Sequence, residues 1–507
     1  MTPRGLNKEI LRLALPSILA NITVPLVGMV DTAVAGHLAG ADAAVAIGSI
    51  SVGSMLFSLL YWNFSFLRSG TGGLTAQAYG ARDDRALAKI FWRGIVLSGA
   101  IALVILLLQW PFLKLALLCT QASAEVEALA SEYFFIRVWA APATLSLMAF
   151  SGWFVGMQDS MSSMWKDLVV NGVNIVASIL LGGGFGLWPG LGIAGIALGT
   201  VIAQYCGLLF CVVVMLVKYR SRLRGFGRDD LREALSRSEM RPFLRLNADL
   251  FVRSLCMLGI YIGYTLIATT MGDMMLACSQ VMMQLLMLFS YFTDGFAYAG
   301  EALVGRFIGA RDNASMRRSV RYVFVWSMSI SVMFIGLYWV GGVPVLRLLT
   351  SDQAVVEACS SFLPWLILMP PVGCAAFTWD GIYLGATASR QIRNSLIWAL
   401  LAFVLTWFAL NWLLPAPSAS FACPSLAHPD TAVAIPSALA TAATSSAVPD
   451  PGSASGASAL PLHLLLAAYF AHLAARTIYL SLRWKDLRNL GAVSFVSRGT
   501  DVADYQR

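Results

Sequence analysis

The sequence predicts an all-α polytopic membrane protein: twelve transmembrane helices in two parallel-repeat six-helix bundles, with both termini on the cytoplasmic side. Three observations carry this. Of the 507 residues, 58% are apolar and 12% charged, and the mean hydropathy is +0.72, whereas a soluble domain is about 45–50% apolar and about 25% charged. The apolar residues gather in twelve runs, each as long as the roughly 20 residues that cross a bilayer. Finally, one set of turns and glycines recurs at a displacement of 229 residues. Soluble enzymes, nucleic-acid binders and disulfide scaffolds are excluded by the composition.

The runs lie at 9–37, 43–79, 90–117, 131–157, 164–187, 191–217, 246–271, 275–308, 319–348, 361–386, 391–415 and 460–482. An even number puts both termini on one side, and positive charge identifies that side. Lys and Arg gather near the N-terminus (Arg4, Lys8, Arg12), after span two (Arg82, Arg85, Lys89, Arg93), and from Lys218 to Arg241 after span six. They gather again after span eight (Arg311, Arg317, Arg318, Arg321), after span ten (Arg390, Arg393) and at the C-terminus. The opposite loops hold only Lys114 and Arg347. The basic N-terminus before an apolar run mimics a secretory signal, but the run is too long and lacks a small-residue cleavage site, so it is the first permanent helix.

Two segments fall outside the spans. Residues 218–245 form a basic, partly amphipathic cytoplasmic linker expected to lie on anionic headgroups. Residues 416–459, rich in Ala, Ser and Pro, carry too little bulky apolar surface to fold and read as a disordered outward loop. The eight cysteines form no CxxC pair and stand beside no histidine cluster, so no metal or cofactor is expected. Cys423, in the outward loop, has no evident partner there.

The repeat organises the chain. Gly80-Ala81-Arg82-Asp83 recurs as Gly309-Ala310-Arg311-Asp312, and at the same displacement Pro142 matches Pro371, Gly152 matches Gly381, Gly156 matches Gly385 and Ser160 matches Ser389. This divides the chain into a bundle at 1–217, the linker at 218–245, a second bundle at 246–482 and a cytoplasmic tail at 483–507. Six spans per half make the repeats parallel, as in transporters that bind substrate between their halves.

The stretch from Ile136 to Pro142 (Ile-Arg-Val-Trp-Ala-Ala-Pro), Gly152-Trp153-Phe154-Val155-Gly156, the Asn171/Asn174 pair, the Gly-Ala-Arg-Asp turns and Asp294-Gly295-Phe296-Ala297 resemble the multidrug and toxic compound extrusion (MATE) transporters, in their DinF-like branch. The resemblance spans residues 5–415 and 460–485. It implies two bundles around a cleft that opens alternately to either side, exporting small organic compounds against an inward flow of protons or sodium ions. A monomer in a bacterial inner membrane, in contact with lipid and not nucleic acid, is expected.

Ionisable residues inside spans are functional candidates by default. Asp31, in Met29-Val30-Asp31-Thr32-Ala33, matches the family's first-helix aspartate, and burial disfavours its charged form, so it can take up and release a proton. Alternatively it sits at the outer mouth near His37 as a solvated or capping residue. Pro16 is placed to kink the same helix. Asn171 and Asn174 share a face of span five and either hold Asp31 or bond between helices. Archaeal relatives carry a second aspartate where this chain has Ser178. One buried carboxylate suffices for a proton, whereas sodium wants several oxygens and a full negative charge, so proton coupling through Asp31, Asn171, Asn174 and Ser178 is favoured over sodium.

In the second half, Asp249 and Arg253 are i,i+4 neighbours and read as an ion pair. Asp294 and Glu301 share a face of span eight, to meet a cationic substrate or to act as a second proton site. Asp380 is either a functional acid or a cap at the end of span ten, and Arg137 is expected to neutralise a neighbour in span four. Methionine-rich stretches such as Val281-Met282-Met283-Gln284 suit an adaptable cleft, or simply pack against lipid and helices.

Three rival functions are open to the sequence. A membrane enzyme would rest on Asp229-Asp230-Leu231-Arg232-Glu233, an acidic spacing that can hold magnesium on a diphosphate. It occurs once, in a basic linker, and acids alternating with arginine mark a solvated helix. A lipid-linked saccharide flippase would need several cations inside its cleft, whereas cations within the spans are few (Arg68, Arg137, Arg253) and acids at least as numerous. A sodium-coupled antiporter is the third.

Overall fold

Each apolar run folds as a helix. The computed structural model describes residues 3–37, 43–118, 123–184, 190–223, 226–350, 352–414 and 460–487, and twelve of its helices are long and apolar enough to cross a membrane. They are α1 (Pro3–Gly36), α2 (Ala43–Ala81), α3 (Asp84–Leu107), α4 (Ala124–Gly156), α5 (Ser160–Gly183), α6 (Gly192–Lys218), α7 (Arg237–Thr269), α8 (Asp273–Gly309), α9 (Asn313–Arg347), α10 (Leu363–Gly385), α11 (Ser389–Leu413) and α12 (Leu460–Leu487). No strand occurs among the described residues. The segment 416–459, with Cys423, and all but the first residues of the tail lie outside them. Large apolar side chains such as Val340, Trp412 and Leu482 project outward, as helices bathed in lipid tails allow.

The tight turns follow from local chemistry. α2 ends when Arg82 takes a left-handed conformation at φ 59°, and Asp83 then caps α3 by accepting from the Ala86 N–H (2.9 Å). α8 passes into α9 in the same way: Arg311 stands at φ 58° and Asp312 accepts from the Ser315 N–H (2.9 Å). Gln158 before α5 and Thr387 before α11 are left-handed too, at 62° and 54°. All three pairs of positions are 229 residues apart.

Helix packing repeats at that displacement. Gly152 of α4 lies so close to α2 that a Cβ would strike the Arg68 backbone, and Gly381 of α10 lies equally close to the Ala297 backbone of α8. Close approach of backbones is the use to which small residues are put between membrane helices. α1 packs on α5, α2 on α4, α5 on α6, α7 on α11, α8 on α9 and α10, and α11 on α12. The first six spans meet the last six chiefly where α1 and α2 run along α8.

The linker departs from expectation. α7 begins at Arg237, after the extended Ser236, well before the expected edge near 246. The linker's short helix Arg228–Ala234 packs on α3. Asp230 and Glu233 share a face of it and meet Arg85 (3.2 Å) and Lys89 (2.6 Å), while Glu239 meets Arg93. Arg93 Nε also donates to the Ala234 carbonyl (2.9 Å). The linker therefore docks on protein through its acids, a contact that counting its basic residues hides. The same pairing occupies the acidic run that a magnesium diphosphate would need.

Candidate functional site

Asp31 sits on α1 between two devices that interrupt regular helix. Pro16 lies buried within α1, and Pro25 lies six residues before Asp31. Each removes a backbone N–H from the helix ladder. On the facing helix, Ser178 opens a π-helical turn, Ser178–Gly183, that ends α5, and such turns occur often at functional sites.

Asp31 itself is 6% exposed, and it lies inside α1 rather than at its end. The alternative of a solvated or capping residue is thereby overturned. His37 is exposed, with Nδ1 on the Ala33 carbonyl (2.8 Å). The Ser178 hydroxyl and the charge of Arg137 face the Asp31 carboxyl, yet Asp31 Oδ1 and Ser178 Oγ both lack a hydrogen-bond partner among the described residues. The asparagines do not hold Asp31. Asn171 Nδ2 donates to Thr23 Oγ1 of α1 (2.7 Å) and Asn174 Nδ2 to Thr200 Oγ1 of α6 (3.0 Å), which leaves Asn174 Oδ1 unpartnered. They tie α5 to its neighbours around the acid.

Arg137 does not neutralise a carboxylate of its own helix. Its guanidinium lies over the Phe57 ring (4.9 Å) and bonds Tyr133 and Ser54 Oγ (3.4 Å). An aromatic face stabilises a cation by its quadrupole, so Arg137 keeps its charge available at longer range.

The second-half acids form another cluster. Asp249 and Arg253 are not partners: Asp249 takes Arg393 (2.6 Å) and Ser389 (2.8 Å) from α11, while Arg253 reaches Asp380 (2.6 Å). Sequence spacing offered the i,i+4 pair, but a helix face that meets another helix satisfies its charges across the interface. Asp380 is not a cap either. It is buried within α10, held by Arg253 and by both Nε (3.0 Å) and Nη2 of Arg476 on α12. Glu301 is 0% exposed and pairs through Oε2 with Arg68 of α2 (3.3 Å), while its Oε1 has no partner. Arg68 also stacks on Tyr298 (4.1 Å). Asp294, half-buried, makes no hydrogen bond or ion pair among the described residues but faces Arg68, Arg476, Asp380 and Arg253 at longer range.

Apart from the Asp249–Arg393 pair, three acids (Asp294, Glu301, Asp380) and three arginines (Arg68, Arg253, Arg476) thus share one interior. Arg476 was legible as an ionisable residue inside an apolar run, and buried Lys166, paired with Asp167 (2.6 Å), was too. They enlarge the count of intramembrane cations used against a flippase, yet each is matched by an acid, so neither offers an unpaired charge to an anionic headgroup.

Known proteins supply the family. The MatE family model matches residues 16–180 and 250–413. The chain is 36% identical to DNA damage-inducible protein F of Escherichia coli (strain K12) over 407 residues, 80% of this chain and 86% of that protein. It is 28% identical to the probable multidrug resistance protein NorM of Pseudomonas aeruginosa over 66% of this chain and 67% of that one. A crystal structure of a MATE protein in a bent conformation superposes with a TM-score of 0.75 at 16% identity, covering 96% of this chain and 97% of the other. With twelve candidate spans among its described residues and a family match in each half of its length, the chain belongs to the MATE family of multi-span efflux transporters, which are not enzymes.

Proposed function

We propose that this transporter is a proton-driven antiporter of a bacterial inner membrane, exporting small cationic or amphipathic organic compounds by alternating access. The paired turns, glycine contacts and family matches support two parallel six-helix halves, 1–217 and 246–482. The crowding of Lys and Arg at one set of loops supports both termini in the cytoplasm. On that orientation the α2–α8 seam is shut at the cytoplasmic end. The outer half of α1 is open on two sides, since Val24 points away from Leu26 and Met29 and all three are exposed. This supports an outward-open conformation.

The observation that carries the coupling is the buried Asp31 carboxylate with an unpartnered oxygen. Burial that is only partly compensated disfavours charge, and a proton removes it. The position that would add a second acid is Ser178, which favours a proton over sodium. Asp31→Asn keeps size and hydrogen bonding but cannot titrate. In inverted vesicles its export of a fluorescent organic cation should fall to the level of vesicles lacking the protein, at unchanged amounts of folded protein. Full export by this variant would remove Asp31 from the mechanism.

A further inference from the structure

The shut end of the seam is built from reciprocal contacts. A Cβ on Gly80 of α2 would strike the Arg306 carbonyl of α8, and one on Gly309 of α8 would strike the Gln77 carbonyl of α2. Gln77 Nε2 donates to the Gly385 carbonyl (3.0 Å) and to Thr387 Oγ1 (3.1 Å), and Gln158 Nε2 donates to the Ala302 carbonyl (2.7 Å). These neutral bonds and backbone contacts respond to no ion.

Two contacts between the halves do carry charge, Arg306 of α8 with Glu9 of α1 at the rim (3.7 Å) and Arg68 with Glu301 deeper along the seam. Arg68 of α2 and Glu301 of α8 join the first six spans to the last six, with Glu301 fully buried and one of its oxygens unpartnered. Gly72 of α2 lies against that oxygen and against the Gly152 carbonyl of α4, and a Cβ there would collide with it. Arg68 and Arg253 of α7 face Glu301 with positive charge. Asp294 and Tyr298 precede it by two turns and one turn on the same face of α8, and Asp294 in turn faces Asp380 of α10 and Arg476 of α12. From α1, Glu9 is taken up by Arg306 (3.7 Å), and α9 contributes apolar Val323 to this stretch of α8.

We propose that Arg68–Glu301 is an ionic lock between the two halves and that Glu301 is a second proton-binding site, reached along α8 from half-buried Asp294, whose protonation releases the lock. A proton on the Glu301 carboxylate cancels its charge and leaves the half-buried Arg68 guanidinium without its bonded partner, with Asp294 facing it only at longer range. Removing one partner of a buried pair is strongly unfavourable, and opening the seam to water relieves it. A proton entering from the outer cleft would thus open the cytoplasmic side, the order that an antiporter driven by inward protons needs. The inference rests on the reading that the two halves move against each other.

The test places spin labels at Arg82→Cys and Ala310→Cys, on the cytoplasmic rims of the two halves, in a background lacking the native cysteines. Electron–electron distances are then read at about pH 8 and about pH 5. The unmodified lock should give a short distance at the higher pH, with the ratio of long to short rising at least about tenfold at the lower. Glu301→Gln and Arg68→Met should each give the long distance at both pH values, and Arg68→Met carries the test if Glu301→Gln fails to fold. An opening that stays pH-dependent in the lock variants would overturn the lock while leaving alternating halves intact. A parent distance that never changes would overturn both.

Discussion

Asp31 and Asp380 are both buried aspartates five residues before the ends of their helices, and their partners separate their duties. Asp380 is enclosed by Arg253 and Arg476, whereas Asp31 keeps an oxygen without a partner. Asp380→Asn leaves buried Arg476 and half-buried Arg253 without their bonded counter-charge, which should lower stability by about 3–5 kcal/mol, read as unfolding in detergent. A variant as stable as the parent that had lost export would instead move Asp380 into the transport path. At this scale the sequence revealed which residues are ionisable within spans, including Asp31, Asp294, Glu301 and Asp380. It did not reveal who meets whom, because Asp249, Arg253, Arg393, Asp380 and Arg476 are paired across helices far apart in the chain. Pro25 and Arg476 were readable one by one, yet only the fold sets Arg476 beside Asp380.

Helix ends and linkers carry effects of their own. Asp159 stands between α4 and α5, where burial works against its charge. Hydrogen bonds from Lys218 (2.7 Å), Ser162 and Tyr219 (2.6 Å) outweigh that and hold its carboxyl below the ordinary range. A carboxyl lowered in the folded state stabilises the fold above its unfolded value of about 3.9, and this contribution fades as pH falls through the folded value. Asp159→Asn should therefore cost about 1–3 kcal/mol near neutral pH, with the gap between variant and parent closing in strong acid. A gap that persisted unchanged there would show that charge is not what Asp159 supplies. The Ala/Ser/Pro-rich segment 416–459 joins α11 to α12, which pack against each other. A flexible linker of about ten residues reaches roughly 16–19 Å, beyond the roughly 8–10 Å between packed helix axes. Replacing the segment with such a Gly/Ser linker should leave insertion and export intact. Loss of export with normal insertion, or the same loss from Cys423→Ser alone, would make the segment part of the machine. Element positions were legible because each span is a long apolar run; the docking of the linker on α3 was not, because it depends on acids hidden within a basic stretch.

Across the whole molecule the displacement of 229 residues was visible in the Gly-Ala-Arg-Asp turns and the Gly152/Gly381 and Gly156/Gly385 matches. Their physical purpose, backbone-to-backbone approach, emerges only with the helices in place. The molecule is sealed along α2 and α8 at one end, with a paired charge cluster in its interior and one incompletely satisfied acid in its first helix. That arrangement is suited to exchanging protons for organic compounds. Uptake of a fluorescent organic cation into inverted vesicles, driven separately by a pH gradient and by a sodium gradient with the membrane potential clamped, tests this most directly. The account predicts uptake with the pH gradient, abolished by a proton uncoupler, and little with sodium. Strong sodium-driven uptake that survives the uncoupler, with none from the pH gradient, would contradict it.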